Sequence, residues 1–290
     1  MTYRIHTFSA VTAVSAMLIV FAQETAPITG QWIIDSIGVA DQVCLTLHRT
    51  IGKSGSSTNS SSYPIASLQG LTAAQMESKE GTMVHFGLVR DAGTLACDGY
   101  FKRGSGAGTF TFSPDPTFAS EMRKLGYDVR KPEQFFSMAA HNVSLAYVRD
   151  LHSLKIVPSS SDELVTMRIH DVSIEFIREL QSLGYANLTP DKLVTMRIHG
   201  VTPEFIRELK KLGYGSVSTD ELVTMRIHGA STEFIQEMKS LGYDHPTIDQ
   251  LVTMRIHGVT PDYVHRLQAH GMKNLTIDQM VNLRIHGIVD

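Results

Sequence analysis

The second half of the chain sets short apolar stripes against polar surfaces at helical spacing, and the whole pattern recurs every 29 residues. The string Leu-Val-Thr-Met-Arg-Ile-His begins at Leu164, Leu193, Leu222 and Leu251. A variant, Met-Val-Asn-Leu-Arg-Ile-His, begins at Met280, and a fainter copy runs from Phe135 to His141. A second series, Phe118, Tyr147, Phe176, Phe205, Phe234 and Tyr263, keeps the same interval. Self-similarity at a fixed period of this size is the mark of stacked, equivalent supersecondary units.

One unit, Thr189 to Tyr214, predicts two short helices. Thr189 is suited to cap the first, Pro190 to its first helical position and Asp191 to the positive end of its dipole. Ser160, Ser218, Thr247 and Thr276 are the equivalent caps, followed at capping-box spacing by Glu163, Glu221, Gln250 and Gln279. The first helix should end at His199. The residues after the six histidines are Asn142, Asp171, Gly200, Gly229, Gly258 and Gly287. These three residue types tolerate the left-handed conformation of a helix stop. Thr202 and Pro203 open the second helix, whose one-sided stripe is Phe205, Ile206, Leu209 and Leu212. Gly213 stops it, and Tyr214 is expected to fold back over its last turn. Two helices this short cannot bury their stripes alone, whereas stacking on identical neighbours can.

Residues 29–112 carry another period. Gly30-Gln31-Trp32-Ile33-Ile34 opens a strand-like run, and Val43, Leu45 and Leu47 alternate with polar neighbours. Gly52 to Ser62 reads as a Gly/Ser-rich loop. Met83–Val89, Leu95–Phe101 and Gly108–Phe112 read as strands, with turns at Asp91-Ala92-Gly93 and Arg103-Gly104-Ser105. Gly104, Gly106 and Gly108 read as a flexible hairpin. Short strands and Gly-rich turns predict a small antiparallel sandwich or barrel-like sheet. The fold class is therefore α+β: a small antiparallel β-domain at 29–112, then an α-solenoid of about six 29-residue helix-hairpin repeats over 113–290.

Two repeated positions exceed what packing requires. Arg168, Arg197, Arg226, Arg255 and Arg284 fall inside the apolar arc of the first-type helix, for Arg197 the arc of Leu193, Val194, Met196 and Ile198. They predict a structural ladder in which each guanidinium binds a helix-end carbonyl or a carboxylate such as Glu204 or Glu208. His141, His170, His199, His228, His257 and His286 occupy helix C-termini, where a donor or cation satisfies terminal carbonyls. They are read as C-caps rather than metal ligands, since packed helices stand about 8–10 Å apart while zinc ligands share one ion at about 2 Å.

Composition narrows the function. With 26 basic and 29 acidic residues the formal charge is −3, and no basic stripe suggests a nucleic-acid partner. Residues 1–22 read as a signal peptide, with Arg4 and His6 before a small-residue apolar run and cleavage expected ahead of Gln23. That run is shorter than the roughly 20 residues a spanning helix needs, an uncleaved N-terminal anchor being the alternative reading, and no later segment is long enough. The localisation so implied is periplasmic or secreted. The two cysteines, Cys44 and Cys97, could form a disulfide in an oxidising compartment or be small buried residues. No catalytic, cofactor or metal motif is present: there is no His-Glu-x-x-His and no Gly-x-Ser-x-Gly.

The segments Phe86–Thr94 and Gly106–Phe112, together with the Leu-Arg-Ile-His-Gly-Val-Thr-Pro-type repeats, carry a resemblance. The chain resembles uncharacterised exported proteins of soil bacteria. Over roughly residues 30–290 it is also similar to the extracellular segments of some antirepressor-type, β-lactam-sensor-like membrane metallopeptidases. It lacks their peptidase zinc motif and membrane helices, so the resemblance implies a sensing or partner-binding module and no protease. The expectation is a non-enzymatic scaffold that binds a protein or peptide of the cell envelope. The alternative is a β-domain that binds a small molecule or cell-wall fragment near Trp32. A less favoured third is a hydrolase using His48, His85 or Asp91.

Overall fold

The computed structural model describes residues 27–36, 41–51 and 55–289. The expected leader lies outside the described residues. Seven strands form one antiparallel sheet: β1 (Ile28–Ser36), β2 (Gln42–Ile51), β3 (Gly55–Pro64), β4 (Leu68–Gln69), β5 (Thr82–Arg90), β6 (Gly93–Lys102) and β7 (Ser105–Pro114). Their order is β3-β2-β1-β7-β6-β5-β4, so the first strand closes against the last hairpin. A single helical turn, α1 (Ala73–Met76), precedes β5.

The sheet is curled rather than divided into two layers. β3 and β5 lie five strand spacings apart in the order, about 24 Å if the sheet were flat. Yet the Arg90 guanidinium at the end of β5 sits 5.7 Å from the centre of the Tyr63 ring on β3. The inner face is the one the alternation marks out. Trp32, Ile34, Val43, Leu45, Leu47, Phe86, Leu95, Phe101, Phe110 and Phe112 are all buried on it.

Two expectations for this half need correction. The Gly/Ser-rich segment is not a loop throughout: from Gly55 it is the edge strand β3, in register with β2 over its whole length. Its serines and threonines meet hydroxyl partners across the ladder, Thr46 with Ser60 at 2.8 Å and His48 with Thr58 at 2.9 Å. An edge strand with a wet face needs no apolar alternation, so composition mimics a loop. Gly106 and Gly108 are likewise not a flexible hairpin but part of β7, flanked by β1 and β6. A side chain on Gly108 would stand 2.0 Å from the Asp98 carbonyl.

Twelve helices follow among the described residues. One type comprises α3 (Pro132–Ala140), α5 (Ser161–Ile169), α7 (Pro190–Ile198), α9 (Thr219–His228), α11 (Ile248–Ile256) and α13 (Ile277–Ile285). The other comprises α2 (Pro116–Lys124), α4 (Leu145–Ser153), α6 (Ile174–Ser182), α8 (Pro203–Lys211), α10 (Thr232–Ser240) and α12 (Pro261–Ala269). Each helix contacts the next of its own type, which gives two rows.

The local chemistry is as the residues dictate. Thr189 accepts from the Lys192 amide, and Ser218, Thr247 and Thr276 close full capping boxes. At Ser160 the box is not closed, because the Glu163 carboxylate takes the Ser159 amide instead. All six residues after the histidines have positive φ, between 52° and 70°. Each first-type helix then ends in a six-to-one bond such as Val201 N–H to Met196 O at 2.8 Å, the helix stop expected of a left-handed residue. Leu193, Met196, Ile206 and Leu209 are buried, so the stripes are hidden between neighbours. Helix α3 packs on β1, β6 and β7, where the Phe136 ring meets Phe110 and Phe112 at 5.7 and 5.5 Å. Sheet and helices thereby share one apolar core.

Candidate functional site

The arginine series forms a ladder, through a contact the sequence did not announce. Each guanidinium lies over the aromatic ring of the preceding unit: Arg168 over Tyr147 at 5.0 Å, Arg197 over Phe176 at 5.1 Å and Arg226 over Phe205 at 5.1 Å. Arg255 over Phe234 and Arg284 over Tyr263 complete it, both at 5.0 Å. The expected carbonyl bonds are present at two rungs: Arg168 Nε donates to His141 O at 3.3 Å and Arg197 Nε to His170 O at 3.2 Å. The carboxylate partner of Arg197 is Asp171, one unit back. The expected partners Glu204 and Glu208 lie elsewhere, the first on Arg207 and the second on Thr232. Both sit in the hairpin's own second helix, whereas the guanidinium reaches towards the preceding unit. Aromatic faces attract cations most strongly where water is excluded, so this position combines packing with charge.

The histidines occupy the ends of the first-type helices, five at the C-cap and His228 as the last helical residue of α9. At His141 and His170 the contribution to the ladder is the backbone carbonyl that receives the next arginine rather than the imidazole. The His141 ring instead accepts from Asn59 of β3 at 2.7 Å. Burial, and secondarily the Arg168 charge, holds its pKa below the ordinary 6.5. Among the described residues no group of three or more His, Cys, Asp or Glu could hold a metal ion. Tyr214 folds back over the last turn of its helix as expected, its amide donating to Leu209 O at 2.9 Å, while the tyrosine hydroxyls reach forward: Tyr214 Oη donates to Pro246 O at 2.8 Å and Tyr185 Oη to Val217 O at 2.7 Å.

The expected apolar arc also needs correction, and the correction exposes the site. Leu193 and Met196 point inward and Arg197 lies only about 40° from Leu193 around the helix, whereas Ile198 lies about 140° away. Ile198 is accordingly 54% exposed, and its counterparts Ile169, Ile227, Ile256 and Ile285 are 53–54% exposed. Each belongs to an outer face of Asp, Thr and Ile, as in Asp191, Thr195 and Ile198, on successive turns of one helix side. That face is the same on α5, α7, α9 and α11, and on α13 Asn282 replaces Thr.

The outer faces of the second-type helices differ by contrast. The positions of Arg178, Arg207, Gln236 and His265 are equivalent, as are those of Glu179, Glu208, Glu237 and Arg266. Solvent-facing residues have no packing reason to stay alike. From α5 to α13 the first-type face varies less, Asn282 being its one departure over these three positions, than the second-type positions do.

The remaining candidates lie apart from this face. Cys44 and Cys97 are free thiols. They sit on β2 and β6, with β1 and β7 between them, and Cys97 faces the core while Cys44 lies on the opposite side of its strand from buried Val43 and Leu45. A disulfide needs adjacent, converging Cβ atoms, so the possible bridge does not form. Trp32 is fully buried between Phe86 and Phe101, its indole N–H donating to Asp98 O at 3.1 Å. A ligand near it would have to displace the core. His48 bonds Thr58, His85 pairs with Asp98 at 2.6 Å, and Asp91 accepts from the Leu145 amide. Each is committed to a different partner. Compared with known proteins, the chain matches no family model and no curated sequence.

Proposed function

We propose that the helical half is an α-solenoid of 29-residue hairpins and that the protein is a non-enzymatic, exported interaction scaffold. Its partner is an extended segment of another envelope protein, laid across the outer faces of α5, α7, α9, α11 and α13. The observation that carries this reading is the row of five half-exposed isoleucines at one repeated position. A row of exposed apolar side chains on a surface that otherwise excludes them marks an interaction site. The spacing also selects the partner's form. Helices in such a row stand about 8–10 Å apart, and a polyproline-II chain advances about 3.1 Å per residue with three residues per turn. Every third residue of a segment in that extended form therefore returns to the same side and meets the next isoleucine. The Asp row along one side and the Arg and His row along the other would fix its direction. The leader-like N-terminus, and the likeness to exported sensor segments, support placement in the envelope.

A panned library of random peptides tests the reading, with the full chain as bait and the triple variant Ile198→Lys, Ile227→Lys, Ile256→Lys as counter-bait. Enriched peptides should carry apolar residues three apart and should lose binding to the triple variant, while a second-type-face variant, Arg207→Ala, should retain it. Equal binding to the triple variant would refute it.

A further inference from the structure

A second surface has the makings of a binding site and owes nothing to the isoleucine row. Where the edge strand β3 approaches the end of β5 beneath the α3–α4 turn, a cavity of about 530 Å³ opens. Its walls include Ser61 and Tyr63 of β3, Arg90 of β5, His141 after α3, Arg168 of α5 and the carboxylate-bearing Asp171. Two guanidinium groups thus face one space. Among the described residues Arg168 holds the His141 carbonyl and the Tyr147 ring, and Arg90 stacks over Tyr63 with its Nε buried and without a hydrogen-bond partner.

The nearby carboxylates do not balance these charges. Asp171 is taken by Arg197, and Asp91 accepts the amide at the start of α4. The imidazole of His141, accepting from Asn59, is neutral at ordinary pH. Burial presses the Arg90 pKa downward and the Arg168 charge adds to this, against the raising influence of Tyr63 and Asp91. Arg197, Arg226 and Arg255 occupy the same repeat position but do not line this cavity.

We propose that this junction pocket binds the oxyanion group, carboxylate or phosphate, of a small molecule, clamped between Arg90 and Arg168 and bordered by Ser61. A planar guanidinium pairs bidentately with either oxyanion, and the cavity falls within the range of about 300–1,000 Å³ usual for small-ligand sites. Binding here would join β3 and β5 to the first helices, coupling occupancy to the seam between the two halves of the chain.

Isothermal titration of the full chain in low-chloride buffer tests this, with inorganic phosphate in one arm and acetate and citrate in another. Saturable binding at one site per chain is expected in at least one arm, and which arm responds identifies the oxyanion. Losing one charged hydrogen-bond donor should weaken binding by about tenfold or more in Arg90→Gln. Arg226→Gln should leave it unchanged. Amide chemical shifts of Ser61 and Ser62 should move on titration, and Ser61→Asp, placing a fixed negative charge at the rim on the Tyr63 side of β3, should compete with the ligand even if Arg90→Gln does not fold. Absence of saturable binding in both arms, or equal weakening by Arg226→Gln, would overturn the proposal.

Discussion

Replacing Arg197 by Met separates the charge of the ladder from its bulk. Met keeps an unbranched apolar stem over the Phe176 ring and removes the guanidinium, which is 27% exposed, lies 5.1 Å from that ring and donates to His170 O at 3.2 Å. A partly desolvated cation–π contact contributes about 1 kcal/mol and a charged hydrogen bond about 1.5–3 kcal/mol, of which the stem recovers a part. The partly exposed Asp171 carboxylate adds little, since ion pairs with one wet partner contribute at most about 1 kcal/mol. The expected loss is about 2–3 kcal/mol, a fall in melting temperature of about 4–12 °C for a chain of this size.

Arg226→Met provides an internal comparison. Among the described residues Arg226 stacks over Phe205 without a carbonyl bond, so its loss should be about 1 kcal/mol. Ile198→Ser, at an outward position, should stay within about 0.5 kcal/mol of the parent. Far-UV circular dichroism melts of the three variants give the order. Stack and carbonyl bond are not the ladder's source of stability if Arg197→Met melts with the parent, or if Ile198→Ser loses more than Arg197→Met.

Two further outcomes follow from the titrating groups. His141 has a folded pKa below the unfolded value of about 6.5, so the unfolded chain takes up protons first on acidification. Its contribution is intact above about pH 6.5 and is lost as pH falls from there towards the folded pKa. Urea midpoints should therefore drop across that window in the parent and drop less in His141→Gln; parallel pH curves would contradict it. The Cys97 thiol, buried beside Asp98, is pushed up to about 12. Alkylation near neutral pH should spare Cys97 in the folded protein and label it on unfolding, as read by mass spectrometry. Rapid labelling of Cys97 in the native state would mean that the inner face of the sheet is open.

Legibility varied with the range of the interactions. The helix starts and stops were readable because they are local: a cap hydroxyl reaches an amide three residues on, and a left-handed stop needs Gly, Asn or Asp at one position. The arginine's place inside the arc was readable for the same reason, as an angle about one helix axis. Its partner was not, because Phe176 lies 21 residues before Arg197 and belongs to the preceding hairpin. The exposed isoleucine was misread although its angle was available. Hydrophobicity suggested burial, and only the width of the neighbouring helices decides how far the covered arc extends.

The sequence by itself determined the period of 29, the paired helices with their caps and stops, and the alternating inner face of the first half, since each follows from interactions within a few residues. Tertiary structure alone decided that a serine-rich segment becomes an edge strand, that the sheet curls until β5 meets β3, and that Cys44 and Cys97 face apart. It also decided that two arginines converge on one cavity at the junction. Those outcomes depend on which distant surfaces meet, and a pairing set by shape and by competition among many contacts leaves no fixed spacing in the chain to read.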